Sequence, residues 1–220
     1  MADDKNLKRI AALDTATLSD AMDRHGIPGQ CLGIHPVDPR FRLAGRAYTL
    51  RYGPFDPLHP GTVGDYIDDV PDGGVVVLDN QGRYDMTVWG DILTLVASRR
   101  GLGGTVIDGP CRDTDLAREI GYPLFSRSVS MRTGKDRVQV EATGETVTIG
   151  GARVSQGDLL RGDCDGVVAI PREVEDKILD TAEEIMAAEM RIREAVQSGM
   201  RLDEARKVNR YHALQTRAKG

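Results

Sequence analysis

The segment Trp89-Gly90-Asp91-Ile92-Leu93-Thr94-Leu95-Val96-Ala97-Ser98-Arg99-Arg100-Gly101-Leu102-Gly103-Gly104-Thr105-Val106-Ile107-Asp108-Gly109-Pro110-Cys111-Arg112-Asp113 decides how the chain is organised. Apolar residues gather after Gly90, and Arg99, Arg100 and Gly101 follow them, which is the composition of a helix that ends at a glycine. Thr105-Val106-Ile107 reads as a buried strand and Asp108-Gly109-Pro110 as the turn that leaves it. Asp113 reads as the start of another helix, because a carboxylate is favoured at a helix N-terminus. Upstream, Pro71-Asp72-Gly73-Gly74 turns into a second apolar run, Val75-Val76-Val77-Leu78. Strand–helix–strand order thus comes first in the chain.

Further out, residues 15–25 read as a short helix stopped by Gly26, and residues 45–52 as a strand. Residues 125–149 read as strands and hairpins with a turn at Gly150-Gly151, and residues 167–170 as a last buried strand. Pro171 opens a long C-terminal helix. The whole is a mixed α/β layered domain.

Composition narrows the function. The 220 residues carry a formal charge of −5 with 29% charged and 40% hydrophobic residues, an ordinary globular mix without the concentrated basic face of a nucleic-acid groove. No apolar run approaches the ~20 residues that cross a bilayer, and the first residues lack a signal-peptide core. Cys31, Cys111 and Cys164 are too few and too scattered for a disulfide framework or a metal knuckle. A cytoplasmic protein is expected, with no nucleic-acid or membrane partner.

Familiar catalytic motifs are missing. Val106 stands where Gly101-Leu102-Gly103-Gly104 would need a third glycine for a dinucleotide loop. There is no phosphate-binding Walker loop, no Gly-x-Ser-x-Gly elbow and no His-Glu-x-x-His. His25, His35, His59 and His212 show no ligand spacing, and no lysine sits inside an apolar strand where burial would lower its pKa for imine chemistry. Carboxylates and arginine are left, with a metal as the natural partner.

Two loop-to-helix junctions supply them. Gly90 permits close approach to the free amides that open a helix, which suit a carboxylate or phosphate. Arg112 offers a planar fork for a keto acid, and Asp113 a hard oxygen ligand of the kind Mg²⁺ prefers. At this level Asp91 and Asp113 are equally readable as helix caps, and Arg112 as half of a structural ion pair.

The spacing resolves into a resemblance. Asp91 is separated from Arg112-Asp113 by the twenty residues 92–111. Together with Thr17-Leu18-Ser19-Asp20-Ala21, Pro123-Leu124-Phe125 and Asp165-Gly166-Val167-Val168-Ala169-Ile170-Pro171, this resembles the family of the class II 4-hydroxy-4-methyl-2-oxoglutarate/4-carboxy-4-hydroxy-2-oxoadipate aldolases and the regulator of ribonuclease activity A. The resemblance spans about residues 15–200. It implies an αββα sandwich of the swivelling phosphohistidine-domain type in residues 1–172, with residues 173–220 as a C-terminal helical extension packing on a neighbouring subunit of a homotrimer or hexamer. It also implies a Mg²⁺- or Mn²⁺-dependent lyase that cleaves a 4-hydroxy-2-oxo acid to pyruvate and a second keto acid, with oxaloacetate decarboxylation alongside. The alternative within the family is a non-enzymatic, protein-binding regulator of a ribonuclease.

Carried over residue by residue, the resemblance makes Asp113 the direct metal ligand and Asp91 a ligand through water. Arg112 and Asp91 are the catalytic residues, and Gly90, Asp91, Ile92, Leu93 and Arg112 hold the 2-keto acid substrate. The C-terminal helix adds one more candidate. Val174, Ile178, Ala182, Ile185, Ile192 and Val196 recur in steps of three and four, and Glu189 falls on that stripe while Glu183, Glu184 and Glu194 fall off it. By the resemblance Glu189 reaches a neighbour's metal through water; a salt bridge to Arg193 or Arg112 is the other reading.

Overall fold

The structure is a computed structural model and describes residues 4–209 and 211. Helices α1 (Lys5–Ala11) and α2 (Thr15–His25) lead into β1 (His35–Pro36), β2 (Leu43–Pro54), β3 (Val75–Asp79), α3 (Asp91–Arg99), β4 (Gly104–Cys111), α4 (Thr114–Ile120) and β5 (Leu124–Val129). Then come β6 (Val138–Thr143), β7 (Val147–Ile149), β8 (Ala152–Val154), β9 (Leu159–Asp163), β10 (Gly166–Ile170), α5 (Glu175–Gln197) and α6 (Leu202–Val208). The mixed α/β class expected from the sequence is what the chain adopts.

Strands β2, β3, β4 and β5 are parallel neighbours, and α3 and α4 are the crossovers of the last two steps. The twelve-residue β2 serves two pairings on its other edge: Leu43–Arg46 pairs antiparallel with β9, and Leu50–Pro54 with β6. β10 pairs with β9, and its free edge bonds to the segment 29–31 through Cys31 N–H to Val167 O and Ala169 N–H to Gly29 O. The same segment runs on into β1, which pairs with β5. The two outer edges are thus joined by residues 29–36, and the sheet nearly closes on itself.

Alternation along β9 and β10 divides the apolar residues between two cores. Leu160, Val167 and Ala169 face the interior with Val75–Leu78, Val106 and Phe125. Leu159, Val168 and Ile170 face outward and pack with Leu18 and Met22 of α2 and with Ile178, Ala182 and Ile185 of α5. The first half of α5 is therefore held by its own chain. Arg9 on α1 adds ion pairs to Asp180 at 2.5 Å and Glu183 at 2.7 Å, so Glu183 is half-buried rather than on a solvated face. The proposed extension 173–220 includes residue 210 and residues 212–220, which lie outside the described residues.

Two local expectations change. Asp108-Gly109-Pro110 does not leave the strand; β4 runs through it to Cys111, with a register shift between Ile107 and Pro110. Tertiary bonds hold these turn-prone residues extended: Asp108 accepts from Arg127 Nε at 2.5 Å and from Gly150 N–H at 2.8 Å, and proline, which cannot donate, sits at the irregularity. The short helix expected to begin at Asp113 is present, with Asp113 as its N-cap and Thr114 as its first residue. Pro171 opens a short 3₁₀ turn, Arg172–Val174, before α5 begins.

Candidate active site

The two junctions meet at the C-terminal end of the parallel strands, where open α/β sheets bind ligands. Trp89 is the anchor. Its buried ring stacks on Tyr122 at 6.2 Å, and its Nε1 donates to Thr94 Oγ1 at 2.9 Å. Thr94 Oγ1 in turn donates to Gly90 O at 3.0 Å, which ties the first turn of α3 to the loop before it. The N–H of Arg112 donates to Trp89 O at 3.0 Å and joins the second junction to the first.

Gly90 lacks a side chain for a spatial reason. A Cβ there would lie 2.9 Å from Asp113 Oδ2 and 3.4 Å from Arg112 Nε, so the carboxylate and guanidinium occupy the space a side chain would take. Asp113 itself has left-handed backbone at φ 54° and ψ 41°, a conformation that costs a non-glycine residue of order 1 kcal/mol or more. Arg112 Nε lies 3.3 Å from Asp113 Oδ2, with both side chains about two-fifths exposed.

The plain readings hold in part, for these residues do stand at helix starts and Arg112 does pair with Asp113, but the engagement is slight. Gly90 is the N-cap of α3, and Asp113 is the N-cap of α4 without any side-chain capping bond. Among the described residues Asp91 Oδ1 accepts only from the next amide, Ile92 N–H, at 2.8 Å. An exposed pair between adjacent residues such as Arg112 and Asp113 contributes little stability. Strain and charge are gathered here without a structural return.

A cavity of ≈ 210 Å³ opens beside them, lined by Trp89 to Leu93, by Arg112, and by Thr133 and Lys135 from the loop between β5 and β6. Gly90, Asp91, Ile92, Leu93 and Arg112 are therefore brought together, and Asp113 lies behind Gly90 against Arg112. The N–H of Leu93 has no acceptor among the described residues, whereas that of Ile92 is held by Asp91. Lys135 carries no ion pair among the described residues. No pattern in the sequence points to it, since its place follows from Thr87 N–H bonding Arg132 O at 3.0 Å across the fold.

Glu189 is not brought to this cavity within one chain. It is half-buried on α5 and accepts from Arg193 at 3.1 Å and from the hydroxyl of Tyr211 at 3.1 Å. Cys111 is fully buried with Sγ 3.3 Å from Ser126 Oγ, and burial pushes its thiol up, so it packs as a small apolar residue.

The hard oxygens of Asp113 and Asp91 fit a sparsely liganded Mg²⁺ or Mn²⁺, which takes one or two carboxylates and fills its other positions with water and substrate. Among the described residues Asp113 Oδ2 is met only by its neighbour's guanidinium, and the second oxygen of Asp91 accepts no bond. A separate group, Asp163, Cys164 and Asp165, also clusters ligand atoms, but Asp163 is already engaged structurally. Burial pushes its carboxyl up, and bonds from Thr15 and Asp165 outweigh that and leave it below the ordinary value.

Fold and site together define a member of the RraA-like family, described as Aldolase/RraA, whose profile matches residues 15–169; the chain belongs to that family. Protein DlpA of Legionella pneumophila is 36% identical over 91% of this chain, although the chain spans only 33% of its length. The 4-hydroxy-4-methyl-2-oxoglutarate aldolase of Thermus thermophilus is 29% identical over 60% of this chain and 77% of its own. Among solved structures, an uncharacterized protein from Pseudomonas syringae superposes with a TM-score of 0.85 at 41% identity, covering 91% of this chain and 96% of the other. Streptomyces coelicolor RraAS2, described as an unusual member of the RNase ES inhibitor RraA protein family, gives 0.79 at 25% identity over 86% of this chain and 97% of its own. Among the described residues no helix is long and apolar enough to cross a membrane.

Proposed function

We propose that the chain is a class II pyruvate aldolase, cleaving a 4-hydroxy-2-oxo acid to pyruvate and a second keto acid and decarboxylating oxaloacetate by the same chemistry. The observation that carries this reading is the strained Asp113 carboxylate, packed with Arg112 into the space that Gly90 leaves open at the mouth of a cavity. Asp113 and Asp91 would hold Mg²⁺ or Mn²⁺, whose positive charge favours the pyruvate enolate left when the C3–C4 bond breaks. Arg112 offers two parallel N–H groups to the keto and carboxylate oxygens and fixes the plane of the keto acid, to which the breaking C3–C4 bond must stand perpendicular. The free N–H of Leu93 receives the same carboxylate, and Ile92 N–H joins it when released from Asp91. Lys135 is a cation for the far carboxylate of a diacid.

Assembly as a homotrimer or hexamer belongs to the same reading. Ile92 on the cavity wall is 74% exposed and Met131 in the β5–β6 loop 87%, and apolar side chains left bare around a site call for a covering neighbour. A neighbour's Glu189 would then complete the metal's surroundings. The same exposed residues favour the second reading, a regulator that binds a ribonuclease, since the Streptomyces relative belongs to a family of RNase ES inhibitors. A coupled assay for pyruvate, run over 4-hydroxy-2-oxo diacids and oxaloacetate with and without EDTA, separates the two. Pyruvate release that EDTA stops supports the aldolase; no pyruvate from any substrate leaves the regulator.

A further inference from the structure

A larger cavity, of ≈ 520 Å³, lies at the opposite end of the parallel strands, where β2 parts from β9 and the turn before β3 begins. Its volume is in the range of small-molecule sites. Leu7, Ala47, Pro71 and the ring of Tyr48 give it apolar walls. Arg46 also lines it, but its charge is already matched: it bonds Asp4 at 2.8 Å and Glu175 at 2.5 Å.

The polar groups that line this cavity divide unevenly. Most acceptors are taken: Asp4 receives Arg46 and the N–H of Leu7, and Gln156 Oε1 receives Thr49 N–H at 2.9 Å and Thr49 Oγ1 at 3.2 Å. Asp72 stands outward in solvent, 4.0 Å from Arg100. The donors are left over. The amide nitrogen of Gln156, the hydroxyl of Tyr48 and the guanidinium of Arg172 have no hydrogen-bond or ion partner among the described residues; Gln156 and Arg172 are exposed and Tyr48 is half-buried, so these groups are open to water or to a ligand. Burial, helped by Asp69, pushes the Tyr48 phenol up, so it remains a donor at neutral pH. The Arg172 guanidinium passes over Gly157, at a spot where a Cβ would lie 3.5 Å from it.

Three unmatched donors, one of them charged, beside apolar walls describe one kind of ligand. We infer that this cavity is a second binding site, for a small organic carboxylate with an apolar body, in which the carboxylate accepts from Arg172, Tyr48 and Gln156 while the body lies on Leu7, Ala47 and Pro71. A compact inorganic anion would leave those walls unused, and a neutral alcohol would bring no opposite charge to Arg172.

The test is a ligand-observed NMR titration of the full chain with benzoate and 4-methylpentanoate, with benzyl alcohol and inorganic phosphate as comparisons. It is repeated on Arg172→Ala, Tyr48→Phe and Asp113→Ala proteins whose thermal midpoints show them folded. Saturable binding of at least one acid is expected, weakened tenfold or more in Arg172→Ala and in Tyr48→Phe and unchanged in Asp113→Ala. Phosphate and benzyl alcohol should bind at least tenfold more weakly than that acid. The inference is overturned by no saturable binding of either acid, by full affinity in Arg172→Ala, by phosphate matching the acids, or by loss in Asp113→Ala, which would place the acid in the other cavity.

Discussion

At Gly90 the backbone is extended, with φ −148°, so any residue could adopt it; what the position demands is empty space. Alanine would press its Cβ on the movable end of Asp113 and on Arg112. Gly90→Ala should therefore unfold within about 3 °C of the parent, as a change below ~1 kcal/mol implies for a chain of this size. Its kcat/KM should nonetheless fall about 10²-fold, the cost of a displaced reacting group. Wild-type turnover in that variant would free Gly90 from the site. Arg112→Lys should lose about as much activity as Arg112→Ala, because lysine keeps the charge and loses the fork; steady-state kinetics of the two variants side by side decide it, and near-parental kcat/KM for the lysine form would reduce Arg112 to its charge. That Asp91, Arg112 and Asp113 stand at two loop-to-helix junctions was legible in the sequence, because glycine and aspartate at the ends of apolar runs mark where helices begin; the roles proposed for them come from the resemblance. Lys135 was not legible, because it reaches the cavity through the Thr87–Arg132 backbone bond, and no local pattern announces a contact made by a distant loop.

Among the helices and strands, runs that are buried on both faces declared themselves. Val75–Leu78 and the centre of β4 are continuous apolar stretches, and α2 ends at Gly26 in left-handed conformation as its sequence implies. The end of β4 did not, because the pull of Arg127 and Gly150 on Asp108 overrides the turn preference of Asp108-Gly109-Pro110. The joint between α1 and α5 makes a pH-dependent prediction. The hydrogen bond from Arg9 holds the Glu183 carboxyl below its ordinary 4.5, against the opposing effect of burial. A carboxyl depressed on folding contributes stability that is present above its unfolded value and is lost as the pH falls through the lower, folded one. Arg9→Ala should thus be less stable than the parent in urea unfolding at pH 7, with the gap narrowing below about pH 4. An equal gap at pH 7 and pH 3 would show that Arg9 acts through packing alone.

Over the molecule as a body, the nearly closed sheet sets the two cavities at opposite ends of its parallel strands, and two helical groups cover it. The layering could be read from the order of strands and helices; the closure through residues 29–36 could not, since it rests on bonds from an irregular segment to β10. Assembly belongs to this scale. If the site is shared between subunits, mixing inactive Glu189→Gln with inactive Asp113→Ala protein under exchange conditions should restore part of the activity, because some interfaces would then be intact on both sides. No recovery after verified exchange would confine Glu189 to its bonds with Arg193 and Tyr211. In the proposed reading, Asp113 is the residue that would make the smaller cavity the site of a metal-dependent lyase. The decisive experiment is pyruvate release from a 4-hydroxy-2-oxo diacid by metal-stripped protein as Mg²⁺ is added back, measured for the parent and for folded Asp113→Ala. Saturable activation of the parent and none of the variant is the expected result; full turnover by Asp113→Ala, or by the parent without metal, would contradict that role.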